Sequence, residues 1–301
     1  MHPKDNFYMS MALELAEKGG RAVAPNPMVG AVIMKDGKVI GRGYHKKFGG
    51  PHAEVNAIKS VKRKADLRDA TLYVTLEPCR HHGKTPPCQD LIEKVGISKV
   101  IIGSHDPFQG AKPSTGKQAP ETIFLKGVLA NKCQTLNKFY FTWVTKKRPY
   151  ITVKIATSAD GSIAGPSGEP VHFTSQAQDR KIHQLRADHQ AILIGSNTAL
   201  LDNPALTVRH VKGADPLRII LDSKERVPKS ARVFKDKNNL HITKRMPLIK
   251  LMRNLAEKGI ASVLVEPGPK LYATLKEADL IDELVVFRGR RKLKNGLPIE
   301  L

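Results

Sequence analysis

Tryptophan occurs once in these 301 residues, cysteine three times, and aromatic side chains make up only 5% of the chain. So few cysteines exclude a disulfide-stapled scaffold, leaving Cys79, Cys88 and Cys133 as core thiols or ligands. So few aromatics argue against the base-stacking platforms of single-strand nucleic-acid binders, and no nucleic-acid partner is expected. No run approaches the ~18 apolar residues of a membrane helix. Glu14 and Glu17 interrupt the N-terminal apolar pattern, which argues against a secretory leader. A cytoplasmic protein without membrane contact is therefore expected. Acidic residues are also sparse, 28 against 50 Lys and Arg, for a formal net charge of +22. The excess is spread along the chain, with one dense run at Arg288-Gly-Arg-Arg-Lys-Leu-Lys294. It reads as a solvated, lysine-rich surface, or as a field that attracts phosphorylated substrates.

The length suits two domains of about 150 residues. The charged, proline-ended segment Thr145-Lys-Lys-Arg-Pro149 marks the break, dividing the chain into 1–147 and 148–301. In the first half, Asn6 is placed as the cap of a helix carrying Met9, Ala12, Leu13 and Ala16 at helical spacing. Two strands, 28–34 and 38–44, meet at the turn pair Asp36-Gly37. A helix over 53–63, a strand over 71–76, a helix opened by Pro86-Pro87 and a strand over 99–103 follow. The second half alternates in the same way, with strands at 150–156, 190–195, 217–222, 261–266 and 283–288 and helices at 175–187, 247–258 and 269–278. Alternating strands and helices define an α/β protein whose first domain is a three-layer α/β/α sandwich.

The strongest chemical signal is His52-Ala-Glu54, followed by Pro78-Cys79 and then Cys88. One imidazole and two thiolates are ligands zinc favours, and three protein ligands leave a fourth position for water, the mark of a catalytic site. Zinc lowers the pKa of such a water toward ~7. Glu54, two residues from the candidate ligand, is placed to shuttle protons. His52 and Cys88 are both expected at helix starts, where the positive end of the helix favours thiolate. Cys133 lies in a helical, leucine-bearing segment and reads as a core thiol.

His-x-Glu followed by Pro-Cys resembles the cytidine deaminase superfamily. Eight residues separate Cys79 from Cys88 where most such deaminases have two. Together with Ala24-Pro-Asn-Pro-Met-Val-Gly-Ala31, Gly50-Pro-His-Ala-Glu54 and Thr71-Leu-Tyr-Val-Thr-Leu-Glu-Pro-Cys79, this spacing resembles the bifunctional deaminase–reductase family of riboflavin biosynthesis. The resemblance covers nearly the whole chain. It implies a zinc-dependent, cytidine-deaminase-like domain, followed by a dihydrofolate-reductase-like domain that uses NADPH. The substrate implied is a small phosphoribosyl pyrimidine, and a homo-oligomer is expected. By that resemblance Asn26 hydrogen-bonds the pyrimidine or its sugar, while His81 and Lys84 reach the ribose phosphate. The loop at Asp106-Pro-Phe-Gln-Gly110 departs from the family after Asp106.

In the second half, Lys154-Ile-Ala-Thr-Ser-Ala-Asp-Gly-Ser-Ile-Ala164, His183-Gln-Leu-Arg186, Asp202-Asn-Pro-Ala-Leu-Thr-Val-Arg209, Arg218-Ile-Ile-Leu-Asp-Ser223 and Leu264-Val-Glu-Pro-Gly268 follow in family order. The resemblance implies that Ala156, Thr198, Asp202, Ser223 and Gly268 line the cofactor, with Pro170 and His172 at its Ser-x-Trp positions. It places Arg186, Leu206, Arg209 and Glu266 on the substrate. Proline and histidine at the Ser-x-Trp pair, Glu266-Pro-Gly-Pro269 in place of Glu-Gly-Gly, and an early C-terminal end imply a weakened nicotinamide site. A deaminase whose C-terminal half is only a scaffold is the alternative reading.

Overall fold

A computed structural model describes residues 3–80, 86–108 and 122–300. The chain forms two compact units, Met1–Lys146 and Lys147–Leu301. In the first, α1 (Pro3–Glu17) precedes the hairpin β1 (Gly30–Lys35) and β2 (Lys38–Tyr44). Then come α2 (Ala53–Ser60), β3 (Thr71–Leu76), α3 (Cys88–Lys94), β4 (Lys99–Ser104), β5 (Ile123–Lys126), α4 (Ala130–Leu136) and α5 (Lys138–Lys146). The five strands lie in the order β2-β1-β3-β4-β5; β1 is antiparallel to both neighbours, and β3, β4 and β5 run parallel.

Strand side chains alternate between faces, and here each face feeds a different helical layer. Ala31, Ile33, Leu72, Val74, Val100 and Ile102 pack with Ala53, Ala57 and Ile58 of α2 and Ile92 of α3. The intervening Val32, Tyr73 and Ile101 pack with Met9, Ala12 and Leu13 of α1 and with Cys133 of α4, which is fully buried. The three-layer arrangement expected from the sequence is thus built by period-two alternation in strands buried on both sides.

Three local expectations are corrected. Asn6 is not a cap: α1 already begins at Pro3, since proline fits a first helical turn. Pro86 and Pro87 precede α3 rather than opening it; Pro87 occupies the cap position and Cys88 is the first helical residue. Helix α2 ends at Ser60 rather than 63, where Lys64 Nζ donates to the carbonyl oxygens of Ile58, Lys59 and Val61 at 2.8, 3.1 and 2.8 Å and satisfies the helix end.

The second unit contains β6 (Tyr150–Thr157), β7 (Ser162–Ala164), α6 (Gln176–Asp188), β8 (Ala191–Gly195), α7 (Ser196–Asp202), β9 (Leu217–Leu221), β10 (Asn239–Ile242), α8 (Leu248–Glu257), β11 (Ser262–Val265), α9 (Pro269–Glu277), β12 (Glu283–Arg288) and β13 (Leu297–Pro298). Six strands form one parallel sheet in the order β10-β9-β8-β11-β6-β12. Its loops after β6, β8, β9 and β11 therefore share one edge. Ile151, Val153, Leu193 and Val265 pack toward α8 and α9, while Ile192, Ile194 and Leu264 pack toward α7. Among the described residues, no helix is long and apolar enough to cross a membrane.

The placement of α2 depends on glycine in β2. A Cβ at Gly43 would lie 2.2 Å from the Ala57 nitrogen and 2.5 Å from the Ala53 oxygen. Helix α2 carries Glu54 and starts beside His52, so its seat on β2 sets their position. Gly43→Ala is expected to destabilise the protein by about 1–3 kcal/mol, the usual cost of overpacking. Urea denaturation reads this directly, and an unchanged midpoint would contradict the close approach.

Candidate functional site

The first unit encloses a cavity of about 210 Å³ lined by Asn26, His45, His52, Glu54, Cys79, Asp106, Tyr140 and Trp143, among others. His52 precedes α2 and Cys88 begins α3, so two helix starts face one another. His52 Nδ1 lies 3.2 Å from Cys88 Sγ and 3.6 Å from Cys79 Sγ. Donor atoms of these three residues all fall within 4.8 Å of one another, the one such group found among the described residues. The backbone N–H of Cys88 donates to Cys79 Sγ at 3.3 Å. Hydrogen bonds from the Cys88 thiol and then from His52 pull the Cys79 thiol down to about 4. A tetrahedral zinc with N and S ligands places neighbouring donors about 3.5 Å apart. Spacing, softness and charge of these donors all fit that ion.

Glu54 is buried, 3% exposed. Burial pushes its carboxyl up to about 7, against a smaller opposing pull from His52. His45 was not singled out from the sequence. It follows the end of β2, and its Nδ1 donates to the Pro51 carbonyl oxygen at 3.0 Å. That leaves Nε2 as a lone pair 3.3 Å from Asn26 Nδ2, so the Asn26 amide donates to it. Burial lowers the His45 pKa and keeps the ring neutral. Asn26 is thereby fixed in orientation at the cavity wall, with one amide hydrogen and its oxygen left for a ligand. Tyr140 donates to Asp106 Oδ1 at 2.7 Å, and the Phe108 N–H donates to the same oxygen at 3.0 Å. Tyr140 and Trp143 come from α5, an element the sequence reading did not assign. Their i, i+3 spacing on an aromatic-rich helix was the signal available. His81 and Lys84 lie outside the described residues.

The second unit holds a cavity of about 350 Å³. Ala156, His172, Arg186 and Arg209 line it, as do Lys154, His183 and His210. Glu266 is not a separate contact from Arg186. Arg186 Nε and Nη2 donate to the two Glu266 oxygens at 2.8 and 3.0 Å, and Lys154 Nζ lies 3.1 Å from Oε2. Burial pushes Glu266 up, but Arg186 and then Lys154 reverse this and hold it well below the usual carboxylate range. The Arg186 guanidinium is engaged by this pair, whereas Arg209 is exposed at the cavity wall. The Arg209 backbone N–H donates to His183 Nδ1 at 2.9 Å. Burial, then Arg186 and Arg209, lower His183 to about 4 and keep it neutral. Leu206 is 2% exposed, in the core beside Ile192 and Ile220, with φ +53°. Pro170 is exposed and does not line the cavity, and His172 is a rim residue, 72% exposed and 3.4 Å from Asp179. Thr198 and Gly268 face each other across the ends of β8 and β11: a Cβ on Gly268 would meet only Thr198 Oγ1, at 3.8 Å. Gly268 caps α9, with Pro269 at its first position. Asp202 ends α7, in electrostatic reach of Lys154 and Glu266, and Ser223 is exposed after β9.

Residues 2–104 match the family model described as the cytidine and deoxycytidylate deaminase zinc-binding region, and residues 149–289 match the RibD C-terminal domain. The fold and the donor cluster thus define a zinc-binding, deaminase-class unit joined to a RibD-type C-terminal unit. The riboflavin biosynthesis protein RibD of Aquifex aeolicus is 38% identical, over 98% of this chain and 89% of its own length. That of Escherichia coli is 36% identical, over 94% and 87%. The crystal structure of a diaminohydroxyphosphoribosylaminopyrimidine deaminase/5-amino-6-(5-phosphoribosylamino)uracil reductase from Thermotoga maritima superposes with a TM-score of 0.90 at 39% identity, covering 98% of this chain and 89% of that one. The chain belongs to the RibD family.

The donor geometry predicts about one zinc per chain in metal analysis of the purified protein. Cys88→Ser should lose most of it, and full retention would place the ion elsewhere.

Proposed function

We propose that this chain carries out two consecutive steps of riboflavin biosynthesis. The first unit hydrolytically deaminates 2,5-diamino-6-(5-phosphoribosylamino)pyrimidin-4-one. The second reduces the ribosyl group of the product to a ribityl chain with NADPH. The observation that carries this reading is the clustering of His52, Cys79 and Cys88, with His52 and Cys79 lining a cavity that also holds the buried carboxylate of Glu54. His52, Cys79 and Cys88 would hold the zinc, which when bound supplies a nucleophilic water at neutral pH.

This chain's own groups supply the rest. Glu54 takes a proton from the attacking water onto its carboxylate, passes it to the ring nitrogen, and then serves the departing ammonia. A carboxyl drawn toward neutrality by burial exchanges protons in both directions near pH 7. Asn26, oriented by His45, presents donor and acceptor to the pyrimidine edge or its sugar. His81 and Lys84 are proposed for the ribose phosphate.

In the second unit, NADPH supplies a hydride. Ala156, Thr198, Asp202, Ser223 and Gly268 are proposed along the cofactor, with His172 at the rim where the family carries tryptophan. Arg209 is proposed for the substrate phosphate, because guanidinium binds phosphate bidentately. Glu266, kept ionised by Arg186 and Lys154, gives the cavity a fixed negative charge facing the sugar. A C-terminal half that is only a scaffold is not favoured: the cavity persists with its ion-paired centre, and residues 149–289 match the RibD C-terminal domain.

Glu54→Gln is expected to retain zinc and lose deamination by about 10²–10⁴-fold, the usual share of a general acid–base. Near-normal turnover would mean that another group moves the proton. Calorimetric titration with NADPH should show binding weakened about tenfold or more by the missing tryptophan contact. Absence of binding at millimolar cofactor would leave only the deaminase.

A further inference from the structure

The segment between α7 and β9, residues 203–216, contains no helix or strand, yet it carries Arg209 to the wall of the second unit's cavity. Such a connection keeps a fixed shape only where its backbone is tied to rigid elements. Leu206 begins the ties: it is buried at φ +53°, a conformation a leucine holds only when its surroundings impose it. The Val208 N–H donates to Asp215 Oδ1 at 2.7 Å and closes the segment on itself. Gly213 lies so near α6 that a Cβ there would sit 2.5 Å from Ala187 Cβ. Two further ties run to α6 through side chains. Arg186 Nη1 donates to the Thr207 carbonyl at 3.4 Å, and the Arg209 N–H donates to His183 Nδ1 at 2.9 Å.

Of these ties, the one from His183 holds the residue that bears the charge. His183 and Arg186 stand three positions apart on α6 and so share a face. The His183 ring is 4% exposed, and the His210 ring packs edge-on against it with centroids 4.5 Å apart. A backbone N–H can only donate, so Nδ1 must keep its lone pair, which a protonated imidazole lacks. Burial first, then Arg186, Arg209 and His210, keep the ring neutral against the opposing pull of Glu266. The Arg209 side chain is exposed, and its Nη1 donates to Thr207 Oγ1 at 2.9 Å. Among the described residues no carboxylate pairs with it. Its backbone is fixed while its charge stays open to the cavity.

We infer that His183 is a positioning residue for the reductive step: by holding the Arg209 backbone it sets the guanidinium where the substrate phosphate binds. This rests on the phosphate role proposed for Arg209. A long side chain on an untied loop loses affinity to the cost of ordering it, and a backbone fixed in advance removes part of that cost.

Calorimetric titration of the full-length protein, without cofactor, with the deaminated phosphoribosyl pyrimidine and with its phosphate-free nucleoside tests the inference. His183→Asn puts an amide oxygen where Nδ1 stood, whereas His183→Gln carries its amide one bond further, past the Arg209 N–H. His183→Asn should bind the phosphorylated ligand as the native protein does, and His183→Gln about tenfold more weakly, the scale of one lost hydrogen bond. All three should bind the nucleoside equally. In steady-state reduction His183→Gln should raise KM with kcat retained, and in an Arg209→Gln background it should cost nothing further. Equal losses on both ligands, or equal losses in the Asn and Gln variants, would make His183 a structural side chain and overturn the assignment. Native affinity in His183→Gln would overturn it too, with the role of Arg209 intact. If Arg209→Gln alone left the affinity for the phosphorylated ligand unchanged, the phosphate reading of Arg209 would fall and this inference with it.

Discussion

The convergence of one imidazole and two thiols is the constraint on which the first unit depends. His52 Nδ1 lies 3.2 Å from one thiol and 3.6 Å from the other, so without a metal the imidazole and the thiols must share protons. A dication resolves this by replacing the shared proton, and metal binding is coupled in this way to ligand deprotonation and to folding. The donors come from separate segments, His52 ahead of α2, Cys79 after β3 and Cys88 at the start of α3. Their meeting therefore requires that both helices be seated on the same sheet face. The shared core of Ala53, Ala57, Ile58 and Ile92 against Val74 and Ile102 does this.

The second unit rests on a different electrostatic solution. A carboxylate as buried as Glu266 would be neutral without partners. Arg186 from α6 and Lys154 from β6 hold it ionised, so one charged triad ties the end of β11 to two other elements, and Arg186 and Lys154 line the cavity. Removing one partner of such a buried group leaves an uncompensated charge. The triad is thus a condition for the cavity whatever its members bind, and this supports the phosphate role proposed for Arg209.

Much of this was legible in the sequence, for identifiable reasons. The strands at 71–76 and 283–288 are recovered residue for residue because β-branched and apolar runs between turn signals leave few alternatives. The turn at Asp36-Gly37 is equally plain, and both residues take the positive φ such a hairpin turn requires. The donor set could be read because ligand chemistry restricts residue type so narrowly. What could not be read depended on tertiary partners. Helices α5 and α7 are short, and their packing rather than their pattern defines them. His45 is an ordinary histidine until the fold brings Asn26 and the Pro51 carbonyl to its two nitrogens. Arg186 and Glu266 are 80 positions apart, so their pairing was hidden and each was assigned to substrate separately.

The central claim is that both chemical steps reside on one chain and occur in order. The direct measurement is to incubate the purified protein with the phosphoribosylated diaminopyrimidine, with and without NADPH, following ammonia, NADPH absorbance and the pyrimidine products. Without NADPH, ammonia should be released and the product should keep its ribose. With NADPH, one equivalent of cofactor should be oxidised for each ammonia released, and the product should carry a ribityl chain. Ammonia release with no NADPH oxidation would contradict the two-step account, and NADPH oxidation without ammonia would contradict its order.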